Sequence, residues 1–374
     1  MEYRSPKLLL FSWVRSVDWL IVWSVLLLVL LDIVLIYTSS AIAVKIGLSK
    51  NYFITRQTAY IGIGLSVMFA LSMCKREMII KIILIGFSIN LLLLSLVKFV
   101  GYEFKGAVRW MHMGPLSIQP SEFIKPCFAC VVGMICASTL PICWKFIINI
   151  AIYCIIALLL LIQPDIGMLV VISGVFIIQL FVLGLPMFWH ALLAALAICC
   201  AFVAYFIFPH VAQRINAFLD DQESNYQVVK SLLAFQKGGI YGTGPGEGVI
   251  KRIIPDAHTD FIFAVAGEEF GMIFCLIMMW LFALIITRVL LHLTKIDDLF
   301  VQISATGIIS QFALQTIINI SVTLNLLPTK GMTLPFISYG GSSMLSMCFG
   351  FGILLSLTRK NVRYEQYQFC SLEL

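Results

Sequence analysis

A few short polar stretches interrupt an otherwise apolar chain, and they hold nearly all the residues able to do chemistry. Gly106-Ala107-Val108-Arg109-Trp110 is followed closely by Gln119-Pro120-Ser121-Glu122-Phe123-Ile124-Lys125-Pro126. Ser121 can cap a helix beginning there, with Glu122 in its first turn. Lys125 then lies one turn inside, where a cation opposes the helix dipole, so its placement calls for a partner anion. Arg109 and Lys125 together could clamp a diphosphate, the arginine through its planar fork and the lysine as a point charge. The competing reading is that both side chains snorkel to lipid headgroups.

Carboxylates and hydroxyls occupy the other stretches. In Gln163-Pro164-Asp165-Ile166-Gly167, Pro-Asp ahead of an apolar run marks a helix start, and capping is the plain role for Asp165. Pro255-Asp256-Ala257-His258-Thr259-Asp260-Phe261 precedes another run, which Thr259 or Asp260 could cap. Asp260, Glu268 and Glu269 reach about two turns into an apolar helix. Carboxylates at that depth are expensive and usually functional, and one among Asp260, Glu268 and Glu269 could serve as a general base. His258 could assist, although a lone interfacial histidine is more often simply exposed. The segment 327–343 carries Pro328, Pro335, Gly331, Gly340, Gly341, Ser338, Ser342 and Ser343. Such backbone at a membrane boundary is tolerated only when buried in protein or lining a wet cavity. A re-entrant packing turn is the alternative. Asp32 lies alone inside an apolar run and must face a polar neighbour.

The elements that position these residues follow from composition. Apolar residues make up 61% of the 374-residue chain and charged residues 12%, against about 45–50% and about 25% in soluble domains. Segments long enough to span a bilayer fall near 17–38, 55–73, 78–97, 121–140, 142–162, 166–185, 188–208, 261–288, 299–323 and 334–357. The expected fold is an all-α, polytopic membrane protein of ten helices. It forms one domain over 1–374, with a large external loop at 209–260 between helices seven and eight. Long continuous runs exclude an outer-membrane barrel, whose strands alternate over ~10 residues. Basic residues before the first span, around the second connection and after the last favour cytoplasmic termini, against Lys45, Lys50, Arg56, Lys98 and Lys105 on the other side.

Parity gives a stronger constraint. The polar stretches follow spans three, five, seven and nine, so all lie on one face, where the even-numbered helices begin. Helix amino ends carry partial positive charge and unpaired N–H groups, and several converging would attract an anion such as phosphate. Within the long loop, Tyr226, Val229, Leu232, Leu233 and Gln236 recur at helical spacing, fitting an amphipathic helix on the membrane surface or against the bundle. The following glycine-rich run, Gly238 to Gly248, lacks the strand a dinucleotide site needs and is a tight turn or a lid. The net charge of +6 suits anionic lipid headgroups, and nothing marks a nucleic-acid partner. Eleven cysteines sit mostly in apolar runs; Cys127 and Cys130 form a C-x-x-C with no second pair.

Taken together, these blocks in this order resemble the SEDS family, the FtsW, RodA and SpoVE proteins, over nearly the whole chain. Pro328-Thr329-Lys330-Gly331-Met332-Thr333-Leu334-Pro335 is more similar to the division branch, FtsW, than to the elongation branch, RodA. The resemblance implies an inverting peptidoglycan glycosyltransferase of the bacterial inner membrane, acting at the septum. Lipid II would be polymerised into β-1,4 glycan, with polyprenyl diphosphate released. It implies a class B penicillin-binding protein and other divisome proteins as partners. It maps a catalytic aspartate onto Asp260, diphosphate-binding cations onto Arg109 and Lys125, and cavity residues onto Glu122, Asp165, Ser338, Ser342 and Ser343. A divalent cation, Mg²⁺ or Mn²⁺, bridging carboxylate and phosphate is compatible with that chemistry. Asp32 and Pro126 depart from the family pattern. The rival classes are a lipid II flippase, which needs access from both faces, and a scaffold that only activates the cross-linking partner.

Overall fold

The computed structural model describes residues 6–39, 47, 49, 51–104, 107–113, 116–189, 191, 195, 202, 205–206, 212, 216, 226–329 and 331–359. The long apolar runs form helices: α1 (Pro6–Ser16), α2 (Trp19–Thr38), α3 (Tyr52–Met73), α4 (Arg76–Val100), α5 (Pro120–Ala137), α6 (Ile142–Ile162), α7 (Ile166–Val182), α8 (Tyr226–Gly238), α9 (Ile262–Leu293), α10 (Leu299–Thr323) and α11 (Gly341–Leu357). Six of them, α2, α4, α5, α6, α9 and α10, are long and apolar enough to cross a membrane. With α3 and the shorter apolar α7 and α11, nine of the ten expected spans have a helix among the described residues. The seventh, 188–208, lies largely outside them, as does the first part of the 209–260 loop. The protein is an all-α, multi-pass membrane protein.

Helices α5 and α10 form the centre. Both are mostly buried, whereas α4 and α6 turn most of their surface outward to lipid. Close approach at the centre depends on small residues: a Cβ on Gly133 of α5 would run into Ser304 of α10, and one on Gly352 of α11 into Leu71 and Met68 of α3. The interior stripe of α10 is polar, with Ser304, Gln311, Gln315 and Asn319 all buried.

Two ends are distinguished by chemistry. At one, the basic connections interlock: Arg76 pairs with Asp298, Arg288 with Asp18 at 2.7 Å, Arg359 donates to the Cys74 carbonyl, and His292 lies 3.0 Å from the Thr358 carbonyl oxygen. At the other gather the segments 107–113, 116–119, 163–165, 238–261, 324–329 and 331–343. The parity expectation is met.

Several local expectations need correction. The connection after α4 is a small antiparallel sheet of β1 (Tyr102–Phe104), β2 (Ala107–Met113) and β3 (Leu116–Ile118); β-branched and aromatic residues in a span-to-span loop were its signal. Helix α1, ahead of the first span, is anchored where the Trp13 indole donates to the Ser72 hydroxyl at 3.0 Å. The last span begins at Gly341 rather than near 334, because 331–340 is irregular and Phe336 sits at φ +60°, a conformation strained for a bulky side chain. Helix α8 buries Val228, Ser231 and Ala234 against the bundle and leaves Tyr226, Val229 and Leu233 exposed, so the small residues form its packing face. Ser231 donates to the Thr323 carbonyl at 2.7 Å.

Candidate active site

Strand β2 carries Arg109 to the amino end of α7. Its guanidinium lies 3.7 Å from Asp165 Oδ1 and donates to the carbonyl oxygens of Gln163, at 3.4 Å, and Pro164. Asp165 is buried and caps α7 as the sequence suggests, accepting from the Met168 N–H at 3.5 Å. Its second oxygen accepts from Ser121 at 3.3 Å and from the Gln119 amide at 3.4 Å. Ser121 therefore does not cap α5: Gln119 holds the cap position without a side-chain bond, and Pro120 occupies the first turn.

The same junction draws in α11. The backbone N–H of Gln119 donates to Ser342 Oγ at 3.0 Å, and Ser342 donates to the Ser117 carbonyl at 3.0 Å. Ser343 shares a 2.7 Å hydrogen bond with Thr333. Three helix amino ends, those of α5, α7 and α11, thus meet in one hydroxyl and carboxylate network beneath Arg109. Helix amino ends favour negative charge, and here the Asp165 carboxylate takes that place.

Lys125 finds its anion within α5. Its ammonium donates to Glu122 Oε2 at 2.8 Å, with the two side chains 1% and 3% exposed. Met168 Sδ lies 3.4 Å away, and Ser346 of α11 donates to the Glu122 carbonyl at 2.8 Å. In this conformation Arg109, about a quarter exposed, is the more open cation.

Asp260 sits in the turn ahead of α9, half-buried. It does not cap α9, whose cap position is Phe261 without a side-chain bond; Thr259 donates to the Asp256 carbonyl at 3.1 Å. The Asn319 amide donates to the Asp260 carbonyl at 2.9 Å and to that of Met332 at 2.5 Å, tying the turn to the 331–340 segment. Gly331 at φ +59° lets the chain pass close: a Cβ there would come within 3.3 Å of Asp260 Oδ2. Ser338 donates to the Thr259 carbonyl at 2.5 Å, and the Tyr339 N–H donates to the His258 carbonyl at 3.0 Å. The His258 ring stacks on Phe53, centroids 4.3 Å apart. Burial pushes the Tyr339 phenol up to about 12 despite the opposing charge of Arg56, so it stays protonated.

Glu268 and Glu269 serve a different segment. Glu268 accepts from the N–H groups of Val249 and Ile250, both at 2.7 Å, and of Lys251 at 2.8 Å. Glu269 pairs with the fully buried Lys251 and accepts from the Gly246 N–H at 3.1 Å. The glycine-rich run is consequently a fixed turn. It lodges against a break in α9 at Gly271, whose φ of +79° only glycine adopts easily and whose Cβ would overlap the Ile240 carbonyl oxygen. Of the readings the sequence left open, the tight turn is met.

Sequence reasoning missed several partners. Gln57, Gln119 and Asn319 are buried amides in or beside apolar runs, and such placement was the signal available. Asp32 finds its neighbour in Gln57, whose amide donates to Asp32 Oδ2 at 2.8 Å.

Residues 18–363 match a family model described as a cell cycle protein, spanning FtsW, RodA and SpoVE. The chain belongs to the FtsW/RodA/SpoVE family. Among FtsW relatives, the probable peptidoglycan glycosyltransferase FtsW of Caulobacter vibrioides is 37% identical over 362 residues, covering 96% of this chain and 93% of the relative. The protein of the same name from Legionella pneumophila is 34% identical, covering 89% of each. A chain solved within a peptidoglycan synthase complex superposes with a TM-score of 0.77 at 28% identity, covering 91% of this chain and 97% of that one. The rod shape determining protein RodA of Thermus thermophilus follows at 0.70 and 26%, covering 91% and 96%.

Proposed function

We propose that this family member is a peptidoglycan glycosyltransferase that polymerises lipid II at the division septum. The observation that carries the reading is the continuous polar network at one membrane end. It joins Arg109, Asp165 and three helix amino ends to the 331–343 segment, and that segment packs on the turn bearing Asp260. FtsW relatives named as probable peptidoglycan glycosyltransferases, at more than 30% identity over most of the chain, support it.

The chemistry divides among these residues. The donor is a glycan α-linked through C1 to polyprenyl diphosphate; the acceptor is the 4-hydroxyl of lipid II. Asp260 takes the hydroxyl proton as that oxygen attacks C1. The bond from C1 to the diphosphate oxygen breaks on the opposite face, giving a β-1,4 linkage with inversion. Arg109 and the amino ends of α5, α7 and α11 stabilise the charge that develops on the leaving diphosphate. Lys125 joins them by exchanging Glu122 for a phosphate oxygen. Glu122, Asp165, Ser338, Ser342 and Ser343 hold these groups in place, and His258 braces the Asp260 turn through Phe53. Glu268 supports the site at one remove, by fixing the 246–251 turn. Lipid tails lie in the apolar grooves between helices.

Among the described residues no three of His, Cys, Asp and Glu gather as a metal cage. A Mg²⁺ or Mn²⁺ ion brought with the substrate would supply positive charge to neutralise the leaving diphosphate, leaving Asp260 free as the base.

The active end faces the periplasm, with both chain termini cytoplasmic. A class B penicillin-binding protein cross-links the product there, within the divisome. An enzyme is favoured over a flippase because the polar network gathers at one end, whereas a flippase needs access from both faces. The test is glycan synthesis from purified lipid II. Asp260→Asn should stay folded and make no polymer; full activity would remove Asp260 as the base.

A further inference from the structure

Asp32 has no part in the chemistry above, yet its setting is unusual. It lies six residues before the end of α2, about 9 Å below the polar face at the helical rise, and is fully buried. One carboxyl oxygen, Oδ2, accepts from Gln57 at 2.8 Å. The other, Oδ1, has no hydrogen-bond partner among the described residues. Ionisable groups so deep in a membrane helix are expensive and are kept for function as a rule. A purely structural hydrogen bond to Gln57 would be met as well by a serine or a carbonyl.

Gln57 explains what such a group gains. Its amide makes three contacts at once: Nε2 donates to Asp32 Oδ2 and to the Ser338 carbonyl, at 3.4 Å, while Oε1 accepts from the Gly340 N–H, at 3.4 Å. Turning the amide over would set oxygen against oxygen at Asp32 and Ser338, and N–H against N–H at Gly340. The contacts to Ser338 and Gly340 are long, and the one to Asp32 is short. A carboxyl group offering an acceptor therefore dictates the orientation. Residues 338–340 in turn hold the approach to Asp260, through Ser338 to the Thr259 carbonyl and through the Tyr339 N–H to the His258 carbonyl. One turn earlier on α3, Phe53 stacks on His258 and meets Tyr339 edge-on, centroids 4.9 Å apart. The first turns of α3 thus clamp both strands of this junction.

We propose that Asp32 is a positioning residue for the active face: it locks the Gln57 amide in the one orientation that holds residues 338–340 against the turn bearing Asp260. Asp32 touches neither substrate nor the reacting atoms. The inference rests on the polymerase reading for its kinetic consequence, but its structural consequence is measurable without turnover.

The experiment compares Asp32→Ala, Asp32→Asn and Gln57→Met in the purified full chain. Hydrogen–deuterium exchange of the peptide over 336–342 should quicken about fivefold in Asp32→Ala and remain near the unsubstituted rate in Asp32→Asn, which keeps an acceptor. Loss of one hydrogen bond, near 1 kcal/mol net, corresponds to a fall in kcat of about tenfold at most. KM for lipid II should stay within about twofold, since the diphosphate contacts are untouched. Adding Asp32→Ala to Gln57→Met should lower kcat no further, because the two act in series. Unchanged exchange in Asp32→Ala, an Asp32→Asn variant as impaired as Asp32→Ala, or additive losses in the double variant would each overturn the proposal. So would failure of Asp32→Ala to yield folded protein, which would make the role one of stability. Altered exchange in a protein that makes no glycan at all would instead count against the polymerase reading alone.

Discussion

Removing the Glu122 carboxylate strands the Lys125 ammonium in the interior of α5. The pair is 2.8 Å apart with side chains 1% and 3% exposed, and the ammonium's other polar neighbour among the described residues is a thioether, Met168 Sδ at 3.4 Å. Breaking a buried pair by deleting one member leaves an uncompensated charge and costs about 3–5 kcal/mol. Glu122→Gln and Lys125→Met should each lose about that much, roughly a thousandfold in the folding equilibrium. Deleting both charges should restore most of it, since an apolar replacement of a buried pair is close to neutral. The assay is unfolding in mixed micelles followed by tryptophan fluorescence. Two single variants within about 1 kcal/mol of the unsubstituted protein, or a double variant no better than the singles, would refute the buried-pair argument. Activity then separates structure from function. The stabilised double variant should make little glycan, because no cation remains there for a phosphate oxygen; full activity would make Lys125 purely structural.

Two further outcomes follow from the geometry. Asp165→Asn keeps a good capping acceptor for α7, so stability should fall by no more than about 1 kcal/mol, while KM for lipid II rises several-fold as Arg109 loses its ion-pair partner; an unchanged KM would detach Asp165 from binding. Gly271→Ala forces a Cβ into the Ile240 carbonyl at a positive φ, and should destabilise the chain by at least about 1–3 kcal/mol, with faster proteolysis within 238–252; resistance equal to that of the unsubstituted protein would show that the turn is not held there.

The spans and the common face of the motifs were legible because both depend on local composition and on parity. The capping role of Asp165 was legible for the same reason: cap, proline and apolar run are adjacent in sequence. What could not be read were partnerships between distant segments. Lys125 announced a need for an anion, and Glu122 three residues away met it. The need at Asp32 was equally plain, but Gln57 stands 25 residues away on another helix. Glu268 and Glu269 looked like companions of Asp260 by proximity along the chain. The break at Gly271 and the returning glycine-rich turn place their carboxylates on the backbone of 246–251 instead. For α8 two readings stood open, and its larger apolar residues face outward while Val228, Ser231 and Ala234 pack on the bundle, a small-residue fit against α9 and α10 that periodicity alone does not reveal.

In the proposed mechanism the Arg109 network holds a lipid-borne diphosphate beside Asp260. Native mass spectrometry of the purified protein with polyprenyl diphosphate tests it without requiring turnover. Binding should persist in Asp260→Asn, weaken sharply in Arg109→Leu, and fall in the unsubstituted protein when the monophosphate replaces the diphosphate. Equal binding by Arg109→Leu and the unsubstituted protein would contradict the account.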